Sequence, residues 1–173
     1  MNQTCAIIGA GMTPFGKFPD QSVRMMAEQA AWAALANAGI EPRDVSQVYF
    51  SNAVSGLITG QEMIRGQAAL RFLGLTGQPV FNVENACASG SSAFYLAWNA
   101  VRSGQAEVAL VVGAERMTHE DKRVSLGALA KAVDLEEEQP EHVGSGSGLP
   151  ERFGLILAGS EPKRLMDLLF AGL

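Results

Sequence analysis

The sequence predicts an α/β fold in the order β-α-β-α-β-α-β, with helices packed on a parallel or mixed sheet. Two observations carry this. Short apolar runs at residues 4–8, 44–53, 80–83 and 108–112 have the length of strands, and helical stripes at 22–38, 62–73 and 91–101 alternate with them. Glycines punctuate the joints, at Gly9, Gly39, Gly74 and Gly104.

Residues 4–8 end on Gly9 and read as a buried strand, with Cys5 inside it as a small core residue. Gly9-Ala10-Gly11 is not a dinucleotide fingerprint, because that turn needs a third glycine and a helix opening on it, whereas Thr13-Pro14 interrupts here. The clearest helix spans 22–38. Val23, Met26, Ala27, Ala30, Ala31, Ala34, Leu35 and Ala38 recur at helical spacing, Ser22 can cap the start, and Gly39 can end it. Met25 and Met26 read as core filler. A strand follows within 44–53, then a loop at 55–60, then a helix over 62–73 with Met63, Ile64, Ala68, Leu70 and Phe72. The strand at 80–83 leads into a turn of small residues, Ala86 to Ser92, and a helix over 91–101 rich in alanine. Tyr95 and Trp98 on that helix are expected in packing, since aromatic bulk on a helix is usually core.

At 173 residues with 47% hydrophobic and 18% charged side chains, the chain has one domain's worth of length and the composition of a globular protein. A net charge of −5 offers no basic face to nucleic acid and no attraction to anionic membrane. Two cysteines, Cys5 and Cys87, make no disulfide framework, and two histidines, His119 and His142, make no metal cluster. The first residues lack a signal-peptide pattern and no apolar run spans a bilayer, so a cytoplasmic location is expected, with no membrane and no nucleic-acid partner.

Cys87 is the candidate nucleophile. It falls on the turn between strand and helix, at or just before the first helical turn. The first N–H groups of a helix lack intrahelical partners and favour negative charge, which suits a thiolate and the oxyanion of an attacked thioester. Free cysteines are also often small buried hydrophobes, and position alone does not separate the two readings.

Three segments sharpen the choice. Asn85-Ala86-Cys87-Ala88-Ser89-Gly90-Ser91-Ser92-Ala93 resembles the nucleophile segment of the thiolase superfamily. Gly113-Ala114-Glu115-Arg116-Met117-Thr118 resembles the segment after that family's next strand. Ile8-Gly9-Ala10-Gly11-Met12-Thr13-Pro14-Phe15-Gly16 resembles the opening of its sterol-carrier-protein-type branch. The resemblance implies a thiolase-like fold over residues 1–118 and the start of an inserted loop or cap region over 119–173. It implies an acetyl-CoA acyltransferase-like enzyme, carrying an acyl group on Cys87, with Ser89 and Gly90 shaping the turn. The coenzyme A thioester is then a substrate, with no covalently bound cofactor and no metal. The helix at 62–73 is expected at a subunit contact.

The same resemblance implies a second half supplying a histidine that activates the nucleophile, a second cysteine as acid/base, and an oxyanion site. None of these has a counterpart in this sequence. A homo-oligomer or a completing thiolase-half chain is therefore expected, and fragment, truncated product and separate subunit all stay open. Beyond Thr118 the charged residues Lys122, Arg123, Arg152, Lys163 and Arg164 read first as solvated, as does His119, and the residues that hold coenzyme A are not identified. Residues 144–148 read as a linker, and the apolar tail 151–173 matches the family least. Two rivals remain. One is a ketoacyl synthase-like condensing enzyme with the same fold and cysteine. The other is a non-catalytic binding or assembly subunit.

Overall fold

The computed structural model describes residues 4–136. The N-terminal segment leads into helix α1 (Val23–Ala38), followed by a single 3-10 turn at Pro42–Asp44 and strand β1 (Gln47–Ser51). Two short helices, α2 (Ser55–Thr59) and α3 (Arg65–Ala69), precede strand β2 (Val80–Val83). A 3-10 turn at Ala86–Ala88 opens into helix α4 (Ser89–Arg102), then come strand β3 (Ala109–Gly113) and helix α5 (Lys122–Leu129). The three strands are parallel in the order β2-β1-β3, with β1 in the centre.

Helix α1 starts and stops where its sequence directs. The Ser22 hydroxyl accepts from the Met25 N–H at 3.2 Å, and Gly39 closes the helix at φ 70°, a left-handed conformation that costs glycine nothing. Ala27, Ala31 and Leu35 form its buried stripe. Met25 is half exposed rather than core filler, because it lies off that stripe.

Side chains alternate across the sheet as the period of two requires. Val48 and Phe50 of β1, Val80 of β2 and Leu110 and Val112 of β3 point to the face covered by α1 and α3. Tyr49, Val83, Ala109 and Val111 point to the face covered by α4. Helix α4 contributes mainly small side chains to that contact, the buried Ala93, Ala97 and Ala100, with Val101 partly buried beside them.

Four further local expectations change. Residues 4–8 form no strand, and Ile7 and Ile8 are mainly exposed. This segment is held through its glycines instead. Gly9 and Gly11 lie so close to α1 that an added Cβ would come within 2.5 Å of the Ala34 carbonyl oxygen and 2.4 Å of the Ala30 carbonyl oxygen. The Ala10 N–H also donates to Asn37 Oδ1 at 3.0 Å. Residues 55–60 contain a short helix rather than a loop. The helix expected over 62–73 shrinks to α3, since Ile64 takes a left-handed φ of 47° and starts the helix late. Tyr95 is exposed, stacked on Trp98 at 6.4 Å, because the α4 face that meets the sheet is filled by alanine.

Among the described residues, no helix is long and apolar enough to cross a membrane.

Candidate functional site

β2 and α4 place Cys87 between them. β2 ends at Val83, Glu84 and Asn85 leave the sheet, and Ala86–Ala88 make one 3-10 turn before Ser89 begins α4. Cys87 is the middle residue of that turn, and it is exposed. Ala86, just before it, has φ 43°, a left-handed conformation that costs a residue with a Cβ about 1–2 kcal/mol. Such strain persists only where the surroundings hold it.

Those surroundings are polar. The Ala86 N–H donates to Glu84 Oε1 at 2.7 Å, and the Ala88 N–H donates to the Asn85 carbonyl at 2.8 Å. Ser89 Oγ accepts from the Asn85 N–H at 2.8 Å and donates to the Ala86 carbonyl at 2.7 Å. The Asn85 side-chain amide donates to Ser92 Oγ at 2.9 Å, and Ser91 Oγ donates to the Ala88 carbonyl at 3.0 Å. Every small polar residue in the segment is thus tied to the turn, and the sulfur stays accessible at its apex.

A second polar group lies at the C-terminal ends of β1 and β3. Asn52 is buried. Its side-chain nitrogen donates to the Ala114 carbonyl at 2.6 Å, to Ser55 Oγ, and to Glu115 Oε1 at 3.3 Å. Its Oδ1 accepts from the Arg65 guanidinium at 3.1 Å. Glu115 Oε2 accepts from the N–H groups of Ala53 and Val54 at 2.8 and 3.0 Å. Arg65 also donates to the carbonyls of Ala53 and Glu62 and pairs with Glu62 at 3.5 Å. A cleft of about 170 Å³ opens here, lined by Asn52, Glu62, Ile64, Arg65, Asn82 and Glu84. It begins on the residues that carry the chain toward Cys87.

The sequence reading missed this network. Its signal was present in polar residues set where apolar runs end, Ser51-Asn52 at the end of β1 and Glu115 two residues past β3. Among the described residues, Ser51, Asn52, Ser55 and Ser89 are the buried polar side chains, and all four lie at this end of the sheet.

The remaining named residues lie elsewhere. Cys5 is partly buried. His119 is exposed and its Nδ1 meets the Asp121 backbone at 3.0 Å. Asp121 caps α5 and pairs with Arg123 at 2.8 Å. That guanidinium first, then the Arg123 N–H and the His119 charge, hold the carboxyl below its ordinary range. Lys122 is exposed. Arg152, Lys163, Arg164 and His142, the linker 144–148 and the tail 151–173 lie outside the described residues.

The arrangement is therefore an exposed cysteine in a hydrogen-bonded turn between strand and helix. A family model for the thiolase N-terminal domain matches residues 5–167. An acetyl-CoA acetyltransferase of Methanocaldococcus jannaschii is 41% identical over 133 residues, covering 77% of this chain and 33% of that protein. Sterol carrier protein 2 of Gallus gallus is 38% identical over 119 residues, covering 68% of this chain and 21% of that protein. Among solved structures, 3-oxoacyl-[acyl-carrier-protein] synthase III from Aquifex aeolicus VF5 aligns with a TM-score of 0.50 and 26% identity, over 57% of this chain and 31% of that one. The chain spans about a third or less of the length of these curated relatives. With the family match running across almost the whole sequence and the cysteine turn at its centre, the chain belongs to the thiolase family, through that family's N-terminal domain.

Proposed function

We propose that Cys87 is the acyl-accepting nucleophile of a thiolase-type acyl transfer on acyl-CoA or 3-ketoacyl-CoA thioesters. The observation that carries this is the exposed sulfur at the apex of a turn whose neighbours spend their hydrogen bonds on holding it. The thiolate attacks the thioester carbonyl, the carbonyl electrons move onto oxygen, and collapse expels the CoA thiolate to leave an acyl-cysteine. The carbanion of a second acyl-CoA then displaces the acyl group in condensation. In the cleaving direction Cys87 attacks the 3-keto carbonyl, the electrons of the broken C–C bond leave on the shorter acyl-CoA as a carbanion that takes a proton from an acid in the second half, and free CoA thiol then displaces Cys87 to carry off the acyl group. The Cys87 backbone N–H serves as one oxyanion donor.

Such a nucleophile needs a base within hydrogen-bond reach. We place that base in a second thiolase-type half, in the same polypeptide or in a partner chain, with an oligomer as the working assembly. Residues 1–118 are the catalytic core in this reading, and 119–173 open a covering region that contributes to CoA binding.

A condensing enzyme fed by a carrier protein is the second reading, favoured by the likeness to the Aquifex synthase. Intact-protein mass after incubation with acetyl-CoA or with acetylated carrier protein decides between them, with Cys87→Ala alongside. One acetyl adduct from acetyl-CoA, lost in the variant, is expected. Adduct from the carrier protein alone would move the assignment to the condensing enzyme. A folded protein that takes no adduct from either donor, even with a second thiolase half supplied, would leave a non-catalytic assembly subunit.

A further inference from the structure

We propose that Glu115 is a positioning residue for Cys87, acting through Asn52. The inference rests on the reading of Cys87 as the nucleophile. The path runs through hydrogen bonds to Val83 and then along three residues of chain to Ala86. Glu115 takes the N–H groups of Ala53 and Val54 on one carboxylate oxygen and the Asn52 side-chain amide on the other. Asn52 is thereby held with its nitrogen toward Ala114 and its oxygen toward Arg65. Its backbone N–H extends the ladder beyond β1 and donates to the Val83 carbonyl at 3.3 Å. Val83 is the last residue of β2, and the strained Ala86 follows three residues later.

The turn is thus pinned from two sides. Ser89 holds it from the helix, and Asn52 holds it from the sheet. A third contact closes the layer: the Ser51 hydroxyl donates to the Val112 carbonyl and lies 4.0 Å from where a Cβ on Gly90 would sit. A carboxylate suits the Glu115 position because it only accepts, and the groups facing it only donate. Glutamine there presents one oxygen and turns an N–H₂ toward the Ala53 and Val54 donors or toward Asn52.

The test is amide hydrogen exchange on the full chain, wild type against Glu115→Gln. Loss of a charge-assisted bond sets the expected scale at about tenfold faster exchange. That change is expected at Ala53 and Val54 and also at Ala86 and Ala88, while Ala31 and Leu35 in α1 keep their rates. Acceleration confined to Ala53 and Val54 would overturn the proposal, since Glu115 would then only clamp its own loop. Equal acceleration in α1 would also overturn it, as the effect would be loss of global stability. Unchanged rates everywhere would do the same. Glu115→Asp keeps the charge one methylene short, so the same amides are expected to move less, and it serves as the readable variant should Glu115→Gln fail to fold. Exchange is measured without turnover. A coupled turn with no acetyl adduct in the wild type, even with a second thiolase half supplied, would therefore sink the nucleophile reading while leaving the Glu115 linkage standing.

Discussion

On the α1 face of the sheet, Val48, Phe50, Leu110 and Val112 meet Leu35, Leu70 and Leu73 together with Ala27, Ala31 and Ala69, and all are buried, so large side chains outnumber alanines there. On the α4 face, Tyr49 meets Ala93, Ala97 and Ala100, with Val83, Val101, Ala109 and Val111 partly buried against them. The same three strands thus support two different kinds of packing. Large interdigitating side chains bury the most apolar surface, so the α1 face carries the greater part of the hydrophobic stabilisation. A layer made mainly of alanine buries less but brings a helix backbone close to the sheet, and α4 is the helix that follows the Cys87 turn. The outer side of α4 shows the complement: Tyr95 and Leu96 are exposed there, and Phe81 is exposed where it stacks on Tyr49 at 5.0 Å. One face buries the larger side chains, and the other holds the helix that follows the Cys87 turn.

Truncation at the centre of the α1 face is expected to have the largest effect. Phe50 is 1% exposed, and Phe50→Ala should cost about 3–5 kcal/mol as lost transfer energy plus an unfilled cavity. Urea denaturation of the full chain measures it. The comparison breaks if Tyr49→Phe, the neighbouring change on the α4 face, costs as much. That variant loses the 2.7 Å bond from the Tyr49 hydroxyl to Gln47 and should cost about 0.5–1.5 kcal/mol.

Overpacking the α4 face comes next. Ala97 is buried against the sheet, and Ala97→Leu should cost about 1–3 kcal/mol by forcing the helix outward. The shift should also alter the rate at which iodoacetamide alkylates Cys87, whereas a substitution of equal cost on the α1 face should not. Equal alkylation rates in both variants would show that α4 does not set the position of the sulfur. Smaller again is the cap of α1. Ser22→Ala should cost about 1 kcal/mol and leave alkylation of Cys87 unchanged, because the cap touches neither the α4 layer nor the turn.

Local chemistry explains which parts of this were legible in the sequence. Helix α1 was readable to the residue because its cap, its stripe and its terminal glycine all lie within it. The position of Cys87 was readable because a strand, a run of small residues and a helix appear in order. Ile64 was not readable, since nothing in residues 62–73 signals a β-branched residue at positive φ, and that one angle shortens the helix. Residues 4–8 misled because an apolar run says nothing about which neighbour will cover it, and two glycines pressed to α1 fix the segment without a ladder. The Asn52–Glu115 network joins residues more than sixty positions apart, so no local pattern could have assembled it.

The smallest effect separates the two faces by pH. The core side chains of the α1 face carry no titrating group, whereas the α4 face contains Tyr49, whose phenol burial pushes above its ordinary value. In the unfolded chain that phenol ionises near pH 10, while in the folded chain it still holds its proton. Above that pH the folded state binds more protons than the unfolded state, so stability falls as pH rises through the interval between the two pKa values. Urea midpoints measured from pH 8 to pH 11 should therefore decline in the wild type, with the decline beginning near pH 10. Tyr49→Phe removes the contribution, and its curve should be flatter over the same range. Tyr95 is exposed and present in both proteins, so whatever it adds cancels in the difference. Parallel curves would mean that the α4 face accommodates the phenolate without cost, and the contrast between a dry alanine layer and a tolerant one would have to be redrawn in favour of the second.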